Sequence, residues 1–121
     1  MSENIVLVQA LAELAYSIAL VDGELDKKEK KAFNEIIDSE LGKSAWSAKN
    51  RFAILEERIS PNIEQSYKIA MFAIKTNKKD FTQELKRKYI NVIERIANSV
   101  DGLRAEEREL INRFKKDIEL I

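Results

Sequence analysis

The chain has 121 residues, 45% apolar and 35% charged, with one Pro, three Gly, and neither Cys nor His. That length supports one hydrophobic core without staples, and the apolar share argues against disorder. The 21 basic residues balance 21 acidic ones, so no bulk charge recruits nucleic acid or an acidic membrane. Thiol nucleophiles, disulfides and thiolate metal sites are excluded by the missing Cys, and the commonest general base by the missing His.

In chain order, residues 4–21 are strongly apolar. No basic segment precedes them and no small-residue cleavage site follows, so no signal peptide is expected. Gln9, Glu13 and Ser17 recur at steps of four and form a polar stripe. A mid-span carboxylate is costly in a bilayer, so this segment reads as a central helix of a soluble protein, its stripe meeting solvent. A break at Val21-Asp22-Gly23-Glu24 precedes a second helix, opened by Asp26 with Glu29 at capping-box spacing. That helix buries Leu25, Phe33, Ile36, Ile37 and Leu41 and stops at Gly42. Ser44 is the expected cap of a third helix, which turns Ala45, Ala48, Phe52, Leu55 and Ile59 inward.

Pro61 suits the first position of a fourth helix carrying Ile63, Tyr67, Ala70, Met71 and Ile74 and ending near Thr76-Asn77. Asp80 and Gln83 form a second capping pair, followed by Leu85, Tyr89, Val92, Ile93, Ile96, Ala97 and Val100 at helical spacing. After a further break at Val100-Asp101-Gly102-Leu103, a last helix presents Leu110, Ile111, Phe114 and Ile118. No segment alternates with period two. The expected architecture is all-α: one compact bundle of about six helices spanning residues 1–121 as a single domain, with short antiparallel connections.

The two breaks are related. Val21-Asp22-Gly23-Glu24-Leu25-Asp26-Lys27-Lys28-Glu29 aligns with Val100-Asp101-Gly102-Leu103-Arg104-Ala105-Glu106-Glu107 when one residue is deleted after the second Gly. Leu25 then matches Leu103, Glu29 matches Glu107, and Phe33 matches Ile111. An apolar helix running into Val-Asp-Gly-x-Leu-x-x-x-Glu, repeated near the C-terminus, resembles the TerB-like family of tellurite-resistance proteins and DnaJ-type co-chaperone domains. The resemblance covers nearly the whole chain. It implies two related helical hairpins, acidic residues suspected of holding metal, and a bacterial, stress-linked role. The second copy departs from the first: its turn is one residue shorter, and Arg104 stands where Asp26 caps the first.

Two readings of the Asp-Gly motifs stand side by side. In one, Gly supplies a positive φ, the Asp side chain accepts local N–H groups, and Glu29 and Glu107 favour the positive end of the next helix. In the other, Asp22, Asp26, Glu29, Asp101 and Glu107 gather into an acidic patch. Carboxylates without His or Cys suit hard cations, so the candidate cofactor is Ca²⁺, Mg²⁺ or Mn²⁺. An EF-hand is excluded, because Lys27 stands where its sixth-position Gly would be if Asp22 were first.

Two further features need placing. Lys75, Lys78, Lys79, Lys86, Arg87 and Lys88 surround the fourth-to-fifth connection. The first 60 residues carry 8 basic and 11 acidic groups, the remaining 61 carry 13 and 10, a polarity of −3 against +3. No aromatics interleave for base stacking, so the cluster reads as a solvated face, with docking to an acidic protein or lipid surface as the alternative. Trp46, the sole Trp, is expected in the core.

No nucleophile–base pair and no phosphate-binding Gly loop can be assembled, so enzymatic activity is not expected. The leading expectation is a cytoplasmic bacterial stress-response module that binds a metal ion or a protein partner through the acidic patch. Nucleic acid and a membrane span are not expected, whereas peripheral membrane contact is open. The alternatives are a purely structural interaction domain and, more distantly, a metal-dependent hydrolase.

Overall fold

A computed structural model describes residues 4–21, 27–99 and 105–121. All regular structure among them is helical: α1 (Ile5–Ala19), α2 (Lys27–Leu41), α3 (Ala45–Ile54), α4 (Ile63–Thr76), α5 (Gln83–Asn98) and α6 (Ala105–Glu119). A short 3-10 turn, Gly42–Ser44, precedes α3, and a π-helical turn, Leu55–Ile59, prolongs it. Leu25, Val100 and the Asp-Gly turns themselves lie outside the described residues.

Helix α1 is the centre of the fold. Twelve of its fifteen residues are buried, and it packs on α4 above all, then on α3 and α5. Asn4 caps it, its Oδ1 accepting from the Val6 and Leu7 N–H groups. The long-range polar contacts fix helix directions. Asn4 donates to Asn77 while Ser17 reaches the Ile63 carbonyl, so α1 and α4 are antiparallel. Lys30 pairs with Glu56 and Lys49 with Asp38, which sets α2 against α3. Glu64 pairs with Arg113 and Tyr67 donates to Asp117, so α6 runs alongside α4 in the same direction. One end of the bundle therefore carries the α1–α2, α3–α4 and α5–α6 connections. The other carries the start of α1 and the α2–α3 and α4–α5 connections.

The core follows the expected registers. Phe33 stacks on Phe52 with ring centroids 4.2 Å apart, and Tyr16 meets Phe52 edge-on at 5.6 Å. Tyr89 buries its ring and donates to the Leu7 carbonyl at 2.7 Å, satisfying the one polar atom it takes inside. Gly42 ends α2 at a φ of 53°, which glycine adopts without a Cβ penalty.

Several local expectations are corrected. Helix α4 starts at Ile63 rather than Pro61. Asn62 caps it in a reciprocal capping box with Gln65, and Pro61 sits buried just upstream. Thr82, not Asp80, caps α5, and Asp80 instead accepts from the Asn4 side chain at 2.8 Å. Ser44 makes no side-chain cap, because the 3-10 turn already leads into α3. Ile59 is exposed: the π-helical turn shifts the register, and Ser60 closes it in the left-handed region.

Candidate functional site

Helices α2 and α6 both begin at the end of the bundle that carries the Asp-Gly turns. In each, the third residue is a buried glutamate: Glu29 is 8% exposed and Glu107 6%. A carboxylate in a first helical turn lies among N–H groups that lack intrahelical acceptors, which stabilises its anion. One turn further on, Phe33 and Ile111 enter the core at matching positions. The two hairpins thus agree at the glutamate and at the apolar anchor, despite the one-residue difference in their turns. Asp22, Asp26 and Asp101 lie outside the described residues. Among the described residues, no three Asp or Glu side chains come together as a metal cage. The five candidate residues offer carboxylate oxygens only, donors that suit hard cations and not zinc or copper.

A third carboxylate is buried where a solvent-facing stripe was expected. Glu13 is 3% exposed, because α1 is wrapped on several sides; Ser17 is buried with it, while Gln9 stays half-buried. Arg51 of α3 answers it, with Nε 2.9 Å and Nη2 2.7 Å from the same Oε1. Ser66 donates to the Glu13 carbonyl at 2.8 Å, and Ser17 to the same carbonyl at 3.0 Å. Desolvation pushes the Glu13 carboxyl above its ordinary range, and the Arg51 hydrogen bond and charge only partly offset it. The spacing of Gln9, Glu13 and Ser17 marked a stripe but could not say that α3 would bring a cation to it. Arg51, one turn after Ala48 and one turn before Leu55 on the third helix, was the available signal.

The other polar cluster braces α4 against α6. Arg113 grips Glu64 through both oxygens, at 2.6 and 2.7 Å, and its guanidinium lies 4.2 Å from the Tyr67 ring centroid. This pairing holds the Glu64 carboxyl below its usual range. Burial, followed by the hydrogen bond to Asp117, raises the Tyr67 phenol.

With the paired hairpins and their glutamates in place, the comparison with protein families is decisive. The family model for tellurite resistance protein TerB matches residues 8–120. The chain belongs to the TerB family. Comparison with curated proteins and with solved structures gives no match.

The matched span runs from the first turn of α1 to the end of α6 and so takes in all six helices. Outside the acidic end, one expectation is overturned. Trp46 is 67% exposed at the start of α3, where the inward positions are taken by Ala45, Ala48 and Phe52. In the basic cluster, Lys75, Lys78, Lys79 and Arg87 are exposed while Lys86 and Lys88 are half-buried. No helix among the described residues is long and apolar enough to cross a membrane.

Proposed function

We propose that this chain is a non-enzymatic stress-response module of the TerB family that binds a divalent cation, Ca²⁺, Mg²⁺ or Mn²⁺, at the acidic end of the bundle. The observation that carries the reading is the paired burial of Glu29 and Glu107 at the same helical position, each following an Asp-Gly turn. Each offers carboxylate oxygens beside the acidic residues of its turn, a donor type that suits a hard cation. Asp22, Asp26 and Asp101 would supply the remaining anionic oxygens. The cation would bring charge neutralisation and a link between the two hairpins. The family's link to tellurite resistance is consistent with a bacterial, cytoplasmic stress role, in which the loaded end presents a surface to a protein partner.

Calorimetric titration with each of the three cations tests this. Wild-type protein is expected to bind at least one of them, and Asp22→Asn to weaken that binding sharply while leaving the apo protein about as stable. Asp22 sits in the more complete copy of the motif, so its substitution is expected to cost more affinity than Asp101→Asn. Should no heat appear with any cation at millimolar concentration, the Asp-Gly motifs are turns only and the module is a structural interaction domain.

A further inference from the structure

The outer face of α4, which runs from the Asp-Gly end of the bundle to the opposite end, has a different character. Residues 65–79 contain four Lys and no carboxylate: Lys68, Lys75, Lys78 and Lys79. All four are exposed, and among the described residues none forms an ion pair within 4.0 Å. Helix α4 turns Ser66, Tyr67, Ala70, Met71 and Ile74 into the core, which leaves the arc through Lys68, Ile69, Phe72 and Lys75 facing outward. Lys68, Phe72 and Lys75 recur at i, i+4 and i+7, one above another on that arc. Phe72 is 70% exposed and Ile69, three residues before it, is 43% exposed. The start of α1 is tied to that opposite end by the hydrogen bonds from Asn4 to Asn77 and Asp80. It adds Ile5 and Val6, both exposed.

We propose that this outer face of α4, with the lysines that follow it, docks on an anionic phospholipid surface. Charge complementarity selects the lipid: four lysines outnumber the carboxylates beside them, and of these Glu64 is held by Arg113, Asp80 by Asn4 and Asp117 by Tyr67. Shape selects a flat partner over a peptide. The apolar residues stand outward from a convex helix instead of lining a groove, as interfacial insertion requires. Phe72 and Ile69 would enter the boundary between headgroups and acyl chains, while the lysine stems lie along it with their ammonium groups among the phosphates.

Flotation of the full chain with phosphatidylcholine vesicles, with and without phosphatidylglycerol, tests the proposal. Binding is expected only when phosphatidylglycerol is present, and it is expected to weaken as salt rises. Phe72→Ser is expected to reduce it about tenfold through lost apolar insertion. The pair Lys75→Glu and Lys78→Glu is expected to reduce it by at least about tenfold, since each lysine near an anionic surface contributes about fivefold. Both variants alter exposed side chains only, so unchanged far-UV dichroism and melting temperature show that folding is not the cause. In a Trp46→Phe background, Phe72→Trp is expected to shift its emission to the blue on anionic vesicles. No flotation with anionic vesicles at low salt would overturn the proposal. So would flotation that survives both variants. Dimerisation abolished by Phe72→Ser, without vesicle binding, would reassign the face to contact between copies.

Discussion

The two Asp-Gly hairpins share a local pattern and differ in depth. Glu29 and Glu107 occupy the same helical position, and Phe33 and Ile111 anchor the same point one turn later. Yet α1, which leads into the first hairpin, buries twelve of fifteen residues, whereas α5, which leads into the second, buries five of sixteen. The breadth of each helix's apolar face therefore sets how far inside the bundle that helix sits. Depth changes the chemistry of the polar residues. Glu13 on α1 needs a cation delivered to it by α3, but Glu94 and Arg95 on α5 reach Lys115 and Glu40 near the surface.

The largest effect is expected at the matched anchors. Phe33→Ala should cost about 3–5 kcal/mol and Ile111→Ala about 2–5 kcal/mol in urea unfolding, Phe33 the more because it also loses its stack on Phe52. An effect below about 0.5 kcal/mol at either site would break the equivalence of the hairpins.

Next come the two ion pairs, one deep and one shallow. Arg51→Ala leaves Glu13 buried without its cation and should cost about 3 kcal/mol, the low end for a broken buried pair because Arg51 keeps some contact with water. The combined Glu13→Leu and Arg51→Met variant should recover most of that loss. Arg95→Ala, which breaks the exposed pair with Glu40, should cost less than about 1 kcal/mol. Equal costs at Arg51 and Arg95 would erase the difference in depth.

The same contrast has a pH signature of smaller size. The Glu13 carboxyl is raised in the folded state, so the native protein holds that proton more tightly than the unfolded chain. Its contribution is fully present below the ordinary Glu value of about 4.3 and is lost as pH rises through the folded value. Glu64, held down by Arg113, has the opposite sign: its contribution is present above that ordinary value and is lost as pH falls through the folded one. Urea midpoints taken from about pH 4 to about pH 7 should show Glu13→Gln removing a decline toward neutrality. Superimposable profiles for wild type and Glu13→Gln would contradict the buried assignment. The smallest effect is expected at Trp46, where replacement by Ala should stay within about 0.5 kcal/mol because the ring lies outside the core.

These contrasts also show what was legible in the residue order. Helical spacing located the inward faces of α2, α4, α5 and α6, since a repeat of three and four residues is a local property of the chain. Gly42 was readable as a stop for the same reason. Trp46, Glu13 and Ile59 were misplaced because each depends on a neighbour distant in sequence or on a change of helical register. Trp46 faces outward because Ala45, Ala48 and Phe52 hold the inward positions, Glu13 is enclosed by α3 and α4, and Ile59 is rotated out by the π-helical turn. Capping was legible in type but not in position, because Asp80, Thr82 and Gln83 offer competing caps within four residues. At the acidic end, Glu29 and Glu107 were picked out by their alignment with two Asp-Gly motifs, and both are buried.

The central claim is that the two hairpins share one bound cation, and the most direct measurement is the melting temperature against cation concentration for wild type and for Glu29→Gln combined with Glu107→Gln. A ligand that binds only the folded state raises stability as its concentration passes its dissociation constant. Wild type should therefore melt progressively higher in millimolar Ca²⁺, Mg²⁺ or Mn²⁺, and the double variant should show little or no rise. A wild-type melting temperature unmoved by all three, or a rise of equal size in the double variant, would contradict the account.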